Sequence, residues 1–224
     1  MGTLVRMVYL VAVTFGMAGG AQSDSGRSPG SQASAASAGG TLRVPSIRYD
    51  EYFRKYSKRY FGPGFAWRVF KAQAMAESGL DSTARSSAGA RGVMQLMPAT
   101  FALISAHRTE FKSPEDAQSN IAAGIAHDAD MWHLFGRITL HPEHYRFMMA
   151  AYNAGEGTIQ RAQQVARAAH LDETSWFGVA SVAQQVPRWR YHETLGYVSR
   201  IAIDYRRLKM LDAVPPVEMD LDQP

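Results

Sequence analysis

From residue 47 onward, apolar side chains recur every three or four positions, as in helices that bury one face. Residues 47–60 carry Ile47, Tyr49, Tyr52, Phe53, Tyr56 and Tyr60 among Arg54, Lys55, Lys58 and Arg59, which predicts an amphipathic helix with a basic outer face. Gly62-Pro63-Gly64 breaks the chain. In the next predicted helix Trp67, Phe70, Ala74 and Glu77 fall within about 80° of one another, and Gly79 ends it. The stretch 80–92 is rich in Ser, Ala, Gly and Arg and reads as a loop; Pro98 then opens a helix to about residue 106. Ser113-Pro114-Glu115-Asp116 offers an N-cap, a first-turn proline and acidic residues at the positive end of the following helix. That helix sets Ile121, Ile125, Ala129 and Trp132 on one face and stops at Gly136. Pro142 starts a helix over 145–153 that Gly155 ends, and another covers 158–170. Residues 176–187 look less regular, and a last helix over 193–211 buries Val198, Ile201, Tyr205 and Leu208. No strand run, repeat or heptad array interrupts the pattern, so it predicts one all-α domain over residues 41–214.

The flanks differ. Residues 1–21 read as an export signal: Arg6 is the positive region, 7–17 is mostly apolar, and Gly19 and Ala21 place a cut before Gln22. The apolar run falls short of the roughly 20 residues of a comfortable membrane span, leaving a cleaved signal or a retained N-terminal anchor as the two readings. Residues 22–40, nearly all Ser, Gly and Ala, are predicted to be a flexible linker, and the acidic tail 215–224 disordered. The protein is therefore expected in the periplasm or cell envelope. With 46% hydrophobic and 20% charged residues the composition is globular; the absence of cysteine excludes disulfides and thiolate catalysis. A net charge of +4 would suit an acidic polymer without identifying one, and no strand-borne aromatic motif or recognition helix points to nucleic acid.

Glu77 is the anomaly in the pattern. A carboxylate at the end of an apolar stripe is costly if buried and unpaired. Desolvation and the negative end of its own helix would both raise its pKa, and a carboxylic acid kept protonated near neutral pH is what general-acid catalysis needs. The competing reading is a carboxylate that caps the helix end or reaches round to solvent.

Four segments stand out together: Glu77-Ser78; Ser86-Ser-Ala-Gly-Ala-Arg-Gly-Val-Met-Gln-Leu-Met-Pro-Ala-Thr100; Ala151-Tyr-Asn-Ala-Gly-Glu-Gly157; and Glu193-Thr-Leu-Gly-Tyr-Val198. In this order and spacing they resemble the catalytic domain of the soluble-type (SLT) lytic transglycosylases, which cleave bacterial peptidoglycan, and Asn120-Ile-Ala-Ala-Gly124 is similar as well. The resemblance covers roughly residues 66–205 and implies an all-α, lysozyme-like fold of the goose-type lysozyme/SLT kind. It places the catalytic acid on Glu77, a serine near that acid on Ser86, and on Tyr152 a tyrosine beside the acid that helps orient the sugar's N-acetyl group. Tyr152 and Asn153 sit where a helix ends among small residues, which would leave their polar tips free; the alternative is a buried tyrosine whose hydroxyl satisfies a carbonyl. Gly89 and Gly92 let the loop approach sugar hydroxyls or simply form its turns, Gln95 can both donate and accept, and Met97 offers a polarisable wall, although residue type alone would place both Met94 and Met97 in the core; Met94 is assigned there. Tyr197 is expected to line the cleft, and Glu193 reads as a helix-start carboxylate.

A two-carboxylate glycosidase needs an acid on each side of the bond, and the only other acid before Glu110 in this region is Asp81. The resemblance implies no second acid: the substrate's acetamide supports the cation, and Glu77 first gives a proton and then takes one from the sugar's 6-hydroxyl, closing a 1,6-anhydro ring. A lysozyme-like hydrolase, with Asp81 as second acid, is the alternative enzyme, and a non-catalytic peptidoglycan-binding module the alternative from another class. His127, His133, His141 and His144 match no zinc spacing, and neither metal nor cofactor is expected. The expected partner is the peptidoglycan glycan strand, with no stable membrane insertion once the signal is cleaved; no envelope assembly partner is identified.

Overall fold

Periodicity marks one apolar stripe on the Glu77 helix, yet that helix is enclosed on nearly every side. In the computed structural model, which describes residues 46–106, 108, 110–138 and 141–212, the helices are α1 (Asp50–Phe61), α2 (Arg68–Ser78), α3 (Pro98–Ser105), α4 (Ala117–Leu134), α5 (His141–Ala154), α6 (Glu156–Ala168), α7 (Trp176–Ser181) and α8 (Tyr191–Asp212), with a 3-10 turn at Ala183–Gln185. The expected export signal, linker and acidic tail lie outside the described residues. Helix α2 packs along α8 and against α1, while α1 meets α4, α4 meets α5 and α5 meets α8, so four helices ring the fifth. Phe70, Ala74 and Glu77 of the expected stripe are buried and Trp67 is partly so, but Val69, Lys71, Ala72, Gln73 and Ala76 are buried as well. The lysine is tolerated because its Nζ donates to Asp50 Oδ1 and to the Ser46 carbonyl. Among the described residues the fold is all-α: the only β-type pairing is two isolated bridges, Arg85 with Arg91 and Arg91 with Leu96, and no helix is long and apolar enough to cross a membrane.

Local signals set several boundaries. Gly79 ends α2 with φ 65°, Pro98 sits in the first turn of α3, and Gly155 separates α5 from α6 with φ 81°. Phe65, which follows the Gly62-Pro63-Gly64 break, inserts between Phe61 (4.2 Å between ring centroids) and Trp132 (5.3 Å, edge-on), tying the break to α4. Gly124 lets α4 approach the loop: a Cβ there would lie 2.8 Å from Cβ of Met94, which is fully buried as expected.

Two expectations need correction. The N-cap of α4 is Asp116, not Ser113: the Asp116 carboxylate accepts from Ser119 N–H (2.9 Å) and Oγ (2.6 Å), so the helix begins three residues later than the Ser-Pro signal indicates. Ser113 instead closes the preceding turn, accepting from Asp116 N–H. Within 176–187 a short helix, α7, forms because Glu143 on α5 accepts from Trp176 N–H and Gly178 lets the Asp172 carbonyl come where a Cβ would stand, 2.2 Å away.

Candidate active site

Glu77 is the penultimate residue of α2, 7% exposed, at the floor of a cleft of about 460 Å³ whose walls include Met75, Ser78, Ser86, Gln95 and Arg200. Tyr197, on α8, donates its hydroxyl proton to Glu77 Oε1 at 2.6 Å. Burial pushes the Glu77 carboxyl from an ordinary 4.5 up to about 8; the Tyr197 hydrogen bond and the nearby Arg200 cation oppose the rise, and Glu193 adds to it. Glu77 is thus a carboxylic acid at neutral pH. Desolvation is the largest cause, so the enclosure of α2 is what raises the group.

The opposite wall is the loop from Leu80 to Met97, braced by side chains on three helices. Ser78 Oγ donates to the Val93 carbonyl (2.8 Å). Asn120 on α4, fully buried, accepts from Met94 N–H (2.7 Å) and donates to the carbonyls of Arg91 (2.9 Å) and Pro114 (2.8 Å). Gly92, at φ 75°, passes so close that a Cβ would lie 2.7 Å from Asn120 Nδ2. Gln95 itself adopts φ 47°, turning its amide inward to donate to the carbonyls of Gly92 (3.0 Å) and Ala84 (3.2 Å). Tyr152 Oη donates to the Met94 carbonyl at 2.8 Å.

Glu77, Ser86 and Gln95 meet at the cleft, and Tyr197 touches Glu77 from behind. Ser86 Oγ accepts from Ala90 N–H (3.0 Å), which folds the loop back on itself and leaves the hydroxyl proton to point elsewhere. The polar tips of Tyr152 and Asn153 are engaged rather than free: Tyr152 is buried and holds the Met94 carbonyl, while Asn153 Oδ1 accepts from Thr194 Oγ1 (2.9 Å), which accepts in turn from Trp189 Nε1 (3.0 Å). Met97 is half-buried at the entrance to α3, outside the set of side chains that line the cleft. Asp81 is exposed, its Oδ1 bonded to Thr83 N–H (2.8 Å) and Oγ1 (2.7 Å), which holds its carboxyl below the usual range. Glu193 pairs with Arg190 at 2.8 Å. His127 is buried 5.2 Å from the Tyr152 ring and kept neutral by burial, its pKa pulled down to about 4; His144 stacks on Trp132. Among the described residues no three His, Cys, Asp or Glu side chains converge as metal ligands.

Sequence reasoning missed Met75 and Arg200 as cleft walls and Asn120 as the loop's strut. Arg200 lies one turn after Tyr197, so the spacing held its signal; Met75, two residues before Glu77 and so on a different face of α2, gave none.

An all-helical domain with one buried acid at the floor of an open cleft is the lysozyme-like arrangement. Residues 51–174 match the transglycosylase SLT domain family, and the chain belongs to it. Its curated relatives include proteins named membrane-bound lytic murein transglycosylase F. The one from Desulfosudis oleivorans is 30% identical over 183 residues (77% of this chain, 38% of the relative), and the one from Maricaulis maris 30% over 155 residues (64% and 33%). Among solved structures the chain is similar to the 70 kDa soluble lytic transglycosylase SLT70 of Escherichia coli, with a TM-score of 0.55 and 28% identity over 74% of this chain and 25% of that one. The chain thus spans between a quarter and two fifths of the length of these relatives.

The pKa of Glu77 has a consequence for stability. The folded state binds this proton more tightly than the unfolded chain, so the stabilisation is complete below about pH 4.5 and is lost as pH rises toward about 8. Replacement Glu77→Gln removes that loss. Chemical denaturation is expected to show the variant more stable than wild type by on the order of 2 kcal/mol at neutral pH, with the gain vanishing near pH 4.

Proposed function

We propose that this chain is a peptidoglycan lytic transglycosylase that cleaves the β-1,4 bond between N-acetylmuramic acid and N-acetylglucosamine, leaves 1,6-anhydromuramic acid ends, and uses Glu77 as its single acid and base. The observation that carries the reading is that Glu77 is the only carboxylate among the described residues lining the cleft, with burial pushing its carboxyl up to about 8. In its acid form Glu77 gives its proton to the glycosidic oxygen, and the bond to the muramic C1 breaks with the electron pair leaving on that oxygen. The substrate's own acetamide oxygen supports the positive charge at C1. The Glu77 carboxylate, held by the Tyr197 hydroxyl and the Arg200 charge, then takes the proton of the 6-hydroxyl as that oxygen bonds C1. The proton count closes, and no water is consumed.

The other residues fall into roles that fit their positions. Ser86 and Gln95 line the cleft and face the substrate, and Met97, beyond the lining side chains, is given no contact with the sugar. Tyr152 acts through Met94, fixing the loop opposite the acid, and Asn153 secures the start of α8 and so the position of Tyr197. The lysozyme-like hydrolase reading is disfavoured because Asp81, its needed second acid, is spent on Thr83 outside the cleft. The membrane-bound and murein terms in the relatives' names agree with action in the cell envelope.

Digestion of purified sacculi by the full chain, followed by mass spectrometry, is expected to yield fragments ending in 1,6-anhydromuramic acid. Glu77→Gln should release at least about a hundredfold less with an unchanged circular-dichroism spectrum. Reducing-end muramic acid alone would establish a hydrolase, and retention on sacculi without any soluble product would establish a binding module. The rate should fall as pH rises through about 8, because the proton-donating form of Glu77 is then lost. Tyr197→Phe removes the hydrogen bond that favours the carboxylate, so it should move that alkaline limb upward and lower kcat about ten- to a hundredfold, read from the pH–rate profile.

A further inference from the structure

Directly beneath Glu77 lies a polar pair to which the reaction above gives no role. Gln73, one turn before Glu77 on α2, and Asp128 on α4 are both 0% exposed, in a core otherwise built from side chains such as Phe70, Ile121, Ile125 and Phe147. Gln73 Nε2 donates to Asp128 Oδ1 at 3.2 Å. The remaining oxygens of the same two planar groups, Gln73 Oε1 and Asp128 Oδ2, are buried and have no hydrogen-bond partner. With an ionised carboxylate both are acceptors, and two acceptors cannot satisfy each other. One proton resolves both at once: placed on Oδ2, it turns Asp128 into a donor to Gln73 Oε1 and closes a ring of two parallel hydrogen bonds between acid and amide.

The surroundings favour the neutral acid. Burial pushes the Asp128 carboxyl well up, Glu77 adds to the rise, and only the Gln73 hydrogen bond opposes it. The titratable groups facing this region are Glu77 on α2, His127 on α4 itself, Tyr152 on α5 and Tyr197 on α8, and none is a cation at neutral pH. An ionised Asp128 would be a buried charge without a counter-charge, which is strongly disfavoured.

We propose that Asp128 and Gln73 form a neutral, cyclic acid–amide pair that fixes the rotation of α2 against α4 and thereby positions Glu77 in the cleft. Apolar packing tolerates small rotations of a helix, whereas a two-bond planar ring does not, and Gln73 and Glu77 share a face of α2 because they are four residues apart. The role as a positioning pair rests on Glu77 being the reactive acid; the neutral ring itself does not.

Two arms test it. In the Glu77→Gln background, where Glu77 contributes no acid signal, the infrared spectrum at neutral pH should contain the carbonyl stretch of a protonated carboxylic acid, and adding Asp128→Asn should remove it. Absence of the band, or its persistence in the double variant, overturns the neutral pair whether or not the protein cleaves sacculi. In the otherwise wild-type chain, Asp128→Ala should lower kcat on sacculi at least about tenfold with KM changed less than about twofold. Asp128→Asn, which can form the same ring as an amide–amide pair, should restore kcat to within about twofold and leave the alkaline limb of the pH profile in place. A limb displaced by about one pH unit or more in Asp128→Asn would mean that Asp128 carries charge. A wild-type rate in Asp128→Ala would mean that the pair positions nothing. Either result overturns the proposal. If Asp128→Ala does not fold, the Asp128→Asn profile and the infrared arm still decide. Inactivity of the wild-type chain on sacculi would instead overturn the transglycosylase reading and leave the infrared arm standing.

Discussion

A carboxyl group can stay inside a protein only if it is neutral or well paired; burial makes Glu77 neutral, and the hydrogen bond from Tyr197 satisfies its buried oxygen and limits how far its pKa rises. Meeting that condition requires α8 to lie along α2 with Tyr197 at the right height, and it requires α1, α4 and α5 to exclude water from the remaining sides. The same tyrosine serves both forms of the acid. Its hydroxyl proton satisfies the buried oxygen while Glu77 is protonated, and it holds the charge once the proton has gone. Arg200, at the exposed side of the cleft, adds a further bias toward the anion without being buried itself. The balance is a group displaced far enough upward to be an acid at neutral pH, yet not so far that it cannot become a base.

Against this fixed floor the loop wall is held by unusually many side chain-to-backbone bonds. Asn120, Gln95, Ser78 and Tyr152 all spend polar groups on loop carbonyls or amides. Polar residues in the motif-bearing segments therefore do much of their work indirectly: they shape the backbone that the substrate would meet. Leu80, Val93, Met94 and Leu96 anchor the loop in the core, and the polar bonds complete the job, because each carbonyl left unpaired on the core side would be a penalty of about 1–3 kcal/mol.

What the sequence made legible follows the range of the interaction. Helix ends set by a local residue, such as Gly79, Pro98 and Gly155, were readable, and so was Glu77 as a carboxylate on an inward stripe. The all-α architecture followed from periodicity alone. Helix α7 was not readable, since its first N–H depends on Glu143 from α5 and its packing on Asp172. Asp116 displaced Ser113 as the cap of α4 because its carboxylate takes two donors from Ser119, where Ser-Pro satisfies the same pattern with one. For Gln95 and Asn153 the residue types drew notice but their direction did not, because their partners are backbone carbonyls or a distant threonine that no periodicity encodes; for Tyr152 the structure has the stated alternative, a buried hydroxyl on a carbonyl. Asp128 lies seven residues after Ile121, on the same inward face, so its burial could have been read as Glu77's was.

Burial beneath α8 and Tyr197 is what makes Glu77 a neutral acid at physiological pH. Carbon-13 NMR of the chain labelled at the glutamate side-chain carboxyl, with Glu77→Gln to assign the resonance, measures this without any substrate. The Glu77 signal is expected to titrate near pH 8. A Glu77 signal that titrates near 4.5 would show instead that burial leaves its carboxyl unshifted.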